Sequence, residues 1–258
     1  MSIVHFIGAG PGDPELITVK GARLLAEADV VVFAGSLVNR ELVRTYAPDA
    51  EVWDSAGMTL EETIEVMAGA IAAGKRVVRL HTGDPSIYGA IQEQMSSLDG
   101  LGIKYDVVPG VTSAFAAAAL LKQELTLPEV SQTVIFTRIE GKTPVPERER
   151  LSEISRTGAT LVIYLSAAMI DRVVAELLQG AYTPATPATV VSRVSWPDEQ
   201  VVEGSLADIA AKTRDAGIDR QAIIIVGDVL NARKDGLKAK SLLYDKKFSH
   251  EYRKGIVT

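Results

Sequence analysis

The chain has 258 residues, of which 47% are hydrophobic and 23% charged, with a net charge of −6 and no Cys. That length buries a sizeable core, as one large domain or two of ordinary size. The composition excludes disulfides, thiolate nucleophiles and Cys-based metal sites, and the acidic balance argues against a general nucleic-acid binder, which needs clustered Lys and Arg.

No run reaches the length of a membrane span, and Met1-Ser-Ile-Val-His5 carries no basic region ahead of an apolar stretch, so no membrane partner and a cytoplasmic location are expected. The three His, at 5, 81 and 250, have no metal-ligand spacing, and no metal is expected. One stretch breaks the acidic balance. Between Arg233 and Lys254 there are eight Lys or Arg against three Asp or Glu, which reads as a solvated basic tail.

In chain order, the apolar run Ile3 to Ile7 reads as a first strand, followed by Gly8-Ala-Gly-Pro-Gly-Asp13 and a helical pattern from Leu16 to Glu27. Further strands are expected at Val30 to Ala34, Glu51 to Trp53, Arg76 to His81 and Tyr105 to Val108. Helices are expected between them. Thr59 with Glu62 three residues later is a capping box for a helix over Leu60 to Ala73, stopped by Gly74. Helices over Ile87 to Leu98 and Val111 to Leu121 follow Asp84-Pro85-Ser86 and Pro109-Gly110. The alternation predicts a mainly parallel five-stranded sheet.

Beyond Lys122 the pattern resumes with strands at Thr133 to Thr137 and Thr160 to Leu165, and helices over Pro146 to Ser155 and Ala168 to Leu178. Thr189 to Val194 and Glu199 to Glu203 read as an antiparallel pair around Trp196-Pro197-Asp198, so the second sheet is expected to be mixed. A helix over Leu206 to Ala216 and a strand over Ala222 to Val226 complete it. The class is α/β, with an N-terminal domain over 1–122, a C-terminal one over 123–230 and a tail over 231–258.

Three small-residue loops, Gly8 to Asp13, His81-Thr-Gly-Asp-Pro-Ser-Ile-Tyr-Gly89 and Val108-Pro-Gly-Val-Thr-Ser113, follow strands of the first sheet. Loops at the carboxyl ends of parallel strands form ligand crevices, and glycine lets backbone groups come close to a ligand. The first is not a dinucleotide fingerprint, because G-x-G-x-x-G needs Gly where Asp13 stands. Asp13 and Asp84 add negative charge, which suits a ligand with a positive centre better than a triphosphate. Gly141-Lys-Thr143 mimics the end of a P-loop, but Phe136 occupies the position of the required Gly. His81, at a strand end, reads as a hydrogen-bonded structural residue, and the row Met58, Leu60, Ile64 and Met67 reads as core.

The string from Gly8 through Lys20-Gly21, with Thr82-Gly-Asp-Pro85 and Pro109-Gly-Val-Thr-Ser113, resembles the S-adenosylmethionine-dependent tetrapyrrole methylase family. Thr137 to Glu147, Leu165-Ser-Ala167 and Ser195-Trp-Pro-Asp-Glu199 resemble its branch that methylates C11 of precorrin-4 or cobalt-precorrin-4 in cobalamin biosynthesis. The resemblance covers nearly the whole chain. It implies a homodimer of two-domain subunits with S-adenosyl-L-methionine in the cleft between the domains. It implies cofactor contacts from Pro11, Thr82, Gly83, Asp84, Ile87, Thr112, Ser113, Leu165, Ser166, Trp196 and Ala222, mostly through backbone. Some members of the family carry an Asp immediately after the second strand as an acid/base; here the chain reads Phe33-Ala-Gly-Ser-Leu37, so either Ser36 takes a polar role or no base is needed. No catalytic residue is assigned. Asp54, Ser36 and Glu93 are candidate proton partners, for which capping or surface roles are the alternative. For the acetate and propionate groups of a tetrapyrrole, Arg138, Lys142, Arg148 and Arg150 are candidate cations, with pairing to Glu140, Glu147 and Glu149 as the alternative.

Overall fold

A computed structural model describes residues 3–35, 37–232, 236–237 and 241–256. The chain divides into two compact units, Met1–Ala117 with Arg193–Glu199, and Ala118–Ser192 with Gln200–Thr258. The division falls ahead of the boundary expected at residue 122, and the segment 193–199 is grouped with the first unit.

The first unit is built on five parallel strands, β1 (Val4–Gly8), β2 (Val30–Phe33), β3 (Glu51–Asp54), β4 (Val77–His81) and β5 (Tyr105–Val108), in the order β3-β2-β4-β1-β5. Alternating side chains face opposite sides of a strand. Ile7, Val31, Phe33 and Leu80 therefore pack with Leu25 of α1 (Val19–Ala26) and Leu42 of α2 (Arg40–Tyr46). Phe6, Val30, Val32 and Val77 pack on the other face with Ile64 and Met67 of α3 (Leu60–Ala72) and Ile91 and Leu98 of α4 (Ile91–Gly100). Helix α5 covers Ser113–Leu120. The capping box of α3 is present in both directions, Glu62 N–H to Thr59 Oγ1 at 3.2 Å and Thr59 N–H to Glu62 Oε2 at 2.7 Å.

Several helix starts differ from the sequence expectation, among them α5 at Ser113 instead of Val111 and, in the second unit, helices at Ile170 instead of Ala168 and at Ile209 instead of Leu206. A 3-10 turn at Pro14–Leu16 precedes α1, which begins after its N-cap Thr18 instead of at Leu16. Helix α4 begins at Ile91 instead of Ile87, because Tyr88 (φ 55°) and Ala90 (φ 49°) are left-handed, a conformation that ends helical hydrogen bonding.

The second unit carries a mixed sheet of β6 (Val134–Arg138), β7 (Thr160–Tyr164), β8 (Pro187–Ser192), β9 (Gln200–Ser205) and β10 (Ala222–Val226), ordered β6-β7-β10-β8-β9. Strands β8 and β9 are the antiparallel pair, and β6 with β7 is parallel. Strand β8 ends at Ser192, two residues before the expected end. The helix expected over Pro146 to Ser155 shrinks to α6 (Leu151–Ile154) between 3-10 turns, and α7 (Ile170–Leu177) and α8 (Ile209–Asp215) complete the unit. Ile163, Val190, Ile224, Val173, Leu177 and Ile209 form its core. No described helix is long and apolar enough to cross a membrane.

Candidate functional site

Strands β4, β1 and β5 are neighbours, so the three small-residue loops leave one stretch of the sheet's carboxyl edge together. Backbone ties fix them to each other. Gly10 and Gly83 exchange hydrogen bonds, N–H to O at 3.3 and 2.8 Å, and Ala9 N–H donates to the His81 carbonyl at 2.7 Å. A methyl group on Gly8 would lie 2.5 Å from Gly110 Cα and 2.6 Å from Gly83 O, so the approach of the three loops requires glycine there.

Asp84 joins the second loop to the third. Its carboxylate accepts from Ser86 N–H at 2.8 Å and from Gly110 N–H at 2.9 Å, so the expected charge for a ligand is also a loop fastener. Asp13 accepts from Glu15 N–H at 2.9 Å and caps the first 3-10 turn. Thr82 Oγ1–H donates to the Leu37 carbonyl at 3.4 Å, while Ile87 is half-buried in the loop ahead of α4. Thr112 is buried, and its carbonyl accepts from Phe115 and Ala116 in the first turn of α5, which Ser113 opens.

The Pro11–Asp13 backbone is held from three sides. Trp196 Nε1–H donates to the Pro11 carbonyl at 3.0 Å, Asn39 Nδ2–H to the Gly12 carbonyl at 2.9 Å, and Asp13 N–H to Ser195 Oγ at 2.9 Å. A methyl group on Gly12 would overlap the Trp196 indole, whose ring also lies 4.4 Å below the Arg193 guanidinium. Arg193 and Ser195 are left-handed, and such strain persists only where surrounding contacts impose it. Sequence reading missed Asn39, Ser195 and Arg193. Asn39 had a local signal as the N-cap of α2, with Oδ1 accepting from Glu41 N–H at 3.0 Å, but its other bond reaches 27 residues back.

His81 is only 4% exposed and stacks on Phe6 with ring centroids 5.9 Å apart. Its Nε2 makes no hydrogen bond, so at that nitrogen the expectation of a hydrogen-bonded residue is not met. Burial, with Arg79 nearby, pushes its pKa down to about 3 and keeps it neutral.

Asp54 ends β3 opposite Phe33, and its carboxylate accepts from Gly35 N–H and Ala56 N–H at 3.0 Å and from Arg40 at 2.8 Å. The bond from Ala56, followed by those from Gly35 and Arg40, holds its pKa below the usual carboxylate range, which suits a turn cap better than a base. A carboxylate thus reaches the turn after β2 from the neighbouring strand. Glu93 is exposed in the first turn of α4. Ser36 lies outside the described residues.

In the second unit, Leu165 follows β7 and is left-handed (φ 54°) and 63% exposed, an apolar side chain held outward by a strained backbone. Ser166 is buried; it accepts from Ile139 N–H at 3.0 Å and donates to the Tyr164 carbonyl at 2.6 Å, tying the ends of β6 and β7. Ala222 opens β10 opposite Ser192. Arg138 donates to the Thr143 and Pro144 carbonyls at 3.2 and 2.7 Å, so it braces its own loop, where Lys142 is exposed. Arg148 pairs with Glu149 and Arg150 with Glu147, while Glu140 pairs with Arg172.

The three loops of the first unit contain no Lys or Arg between Gly8 and Asp13, Thr82 and Gly89, or Pro109 and Ser113. Backbone dipoles and two carboxylates fit a sulfonium such as S-adenosylmethionine better than a polyphosphate, whose like charge the carboxylates would repel. Among the described residues no group of three His, Cys, Asp or Glu is placed to hold a metal ion.

The chain is similar to known methyltransferases along most of its length. A cobalt-precorrin-4 C(11)-methyltransferase of Methanocaldococcus jannaschii is 56% identical over 251 residues, 97% of this chain and 96% of that protein. The solved structure of a cobalt-precorrin-4 methyltransferase is 48% identical, with a TM-score of 0.86, covering 88% of this chain and 95% of that one. A uroporphyrin-III C-methyltransferase of Thermus thermophilus, complexed with S-adenosylhomocysteine, is 31% identical with a TM-score of 0.77, covering 90% of this chain and 100% of that one. The model of the Tetrapyrrole (Corrin/Porphyrin) Methylases matches residues 4–210, and the chain belongs to that family.

Proposed function

We propose that the protein transfers the methyl group of S-adenosyl-L-methionine to C11 of precorrin-4 or cobalt-precorrin-4, a step of cobalamin biosynthesis. The observation that carries this reading is the meeting of three cation-free glycine loops on adjacent strands, in a chain 56% identical to a cobalt-precorrin-4 C(11)-methyltransferase along nearly its whole length.

When bound, the cofactor supplies a methyl group already activated on sulfur. The chain's own work is alignment, and holding two reactants in line is worth roughly 7–11 kcal/mol of barrier. Pro11, Thr82, Gly83, Asp84, Ile87, Thr112 and Ser113 are the proposed cofactor contacts of the first unit, largely through backbone, with Trp196 behind Pro11. Leu165, Ser166 and Ala222 are proposed contacts on the family resemblance. Lys142 is the proposed cation for substrate carboxylates, with Arg138 shaping its loop. A homodimer working in the cytoplasm belongs to the same proposal. Mass and 13C NMR analysis of the product formed from 13C-methyl-labelled cofactor with precorrin-4 and its cobalt complex, assayed side by side, tests it: one added methyl at C11 is expected, and methylation at another ring carbon places the protein in a different branch of the family.

A further inference from the structure

Arg79, on β4, is 6% exposed, and among the described residues no carboxylate is bonded to it. Its Nε–H donates to Gln94 Oε1 at 2.9 Å and an Nη1–H to the Val32 carbonyl at 3.3 Å. Burial lowers its pKa to about 10. A buried guanidinium without a counter-ion is an expensive way to fill a core, and an apolar side chain of similar volume is commonly as stable or more so. What its two bonds hold is therefore informative.

Val32 is the penultimate residue of β2. Gln94, itself buried, passes the connection on: its Nε2–H donates to the Ala90 carbonyl at 3.3 Å. Ala90 is the last residue of the loop that starts at Thr82, and α4 follows it with no side-chain cap. This loop is costly to hold. Tyr88 and Ala90 are both left-handed without being glycine, and a methyl on Gly89 between them would overlap the Pro85 carbonyl oxygen. Such backbone persists only where neighbours fix it. Asp84 fixes the entry, through Ser86 and Gly110. The exit is fixed by Gln94, which Arg79 orients.

We propose that Arg79 and Gln94 are positioning residues for the Thr82–Ala90 loop, so that affinity for an adenosyl sulfur ligand depends on a buried pair that lies behind the loop. This rests on the reading of that loop as the cofactor site.

Calorimetric titration with S-adenosylhomocysteine, thermal melting and steady-state kinetics on Arg79→Lys, Gln94→Met and the double variant test it. Lysine keeps the charge but cannot span Gln94 and Val32, and methionine keeps the length without the amide. Each single change is expected to raise Kd for S-adenosylhomocysteine about tenfold and KM for S-adenosylmethionine similarly, with kcat within about twofold, and the double variant to be no weaker than the weaker single. A lower Tm with unchanged Kd, or additive effects on Kd, overturns the proposal. Gln94→Glu guards against misfolding, since it keeps the acceptor for Arg79, adds a counter-charge and removes only the donor to Ala90. Raised Kd in that variant supports the relay, and unchanged Kd overturns it. Failure of the unmodified protein to bind S-adenosylhomocysteine overturns the cofactor reading itself, and this inference with it.

Discussion

Trp196 Nε1–H donates to the carbonyl of Pro11, 185 residues away in the chain, and the same indole closes against Gly12. A net hydrogen bond of this kind is worth about 1 kcal/mol. Trp196→Phe, which keeps a ring and drops the donor, should weaken S-adenosylhomocysteine binding about fivefold by calorimetry. The other indole, Trp53, is on β3 and can be replaced by Phe to leave Trp196 as sole reporter. Its fluorescence should then respond to S-adenosylhomocysteine and not to NAD or ATP.

Gly110 tests the loop junction. A methyl there would overlap the Gly83 carbonyl oxygen and lie 2.7 Å from Gly8 Cα, all backbone atoms with little room to yield. Overpacking of this sort costs about 1–3 kcal/mol, so Gly110→Ala should lower Tm by roughly 5 °C and weaken S-adenosylhomocysteine binding at least tenfold. Gly69→Ala is the control. Nothing lies within 4 Å of a methyl at that position in α3, and added helix propensity should stabilise the chain by about 0.5–1 kcal/mol.

His81 makes stability depend on pH with a definite sign. Its pKa falls from 6.5 to about 3 on folding, so between those values the unfolded chain binds the extra proton. Stability should be unaffected by this group above pH 6.5 and should fall as pH drops through that window, by about 2–3 kcal/mol at pH 4.5. Urea midpoints measured from pH 7 to 4.5 should show the slope, and His81→Asn should flatten it. A variant with the parent slope assigns the acid sensitivity to other groups.

Lys142 and Arg138 are neighbours with different work. Arg138 is bonded to two carbonyls of its loop, so its removal mixes loop shape with charge. Lys142→Ala is cleaner, and should raise KM for the tetrapyrrole severalfold while Kd for S-adenosylhomocysteine stays unchanged. An unaltered KM removes this loop from the substrate site.

Most strands were legible because runs such as Val30-Val-Val-Phe33 admit little else, and the Thr59–Glu62 capping box announced α3. Helix α4 was misplaced because apolar spacing from Ile87 onward carries no trace of the left-handed backbone at Tyr88 and Ala90. The glycine loops and their gathering on one carboxyl edge could be read from the parallel strand pattern, but which loops touch could not: that follows from β1 lying between β4 and β5, a property of strand order and not of periodicity. Asn39, Ser195 and Arg79 act through partners 27, 182 and 15 residues away, and no local pattern marks those pairings.

The grouping of Arg193–Glu199 with the first unit, between two strands of the second, has a practical consequence for dissection. A gene fragment ending at Ala117 would express the glycine loops without the indole and hydroxyl that brace them, and the complementary fragment would carry that brace with nothing to hold. Separate production of the halves should therefore yield an N-terminal piece with a loosened ligand edge, and mixing the two pieces should be required to recover it.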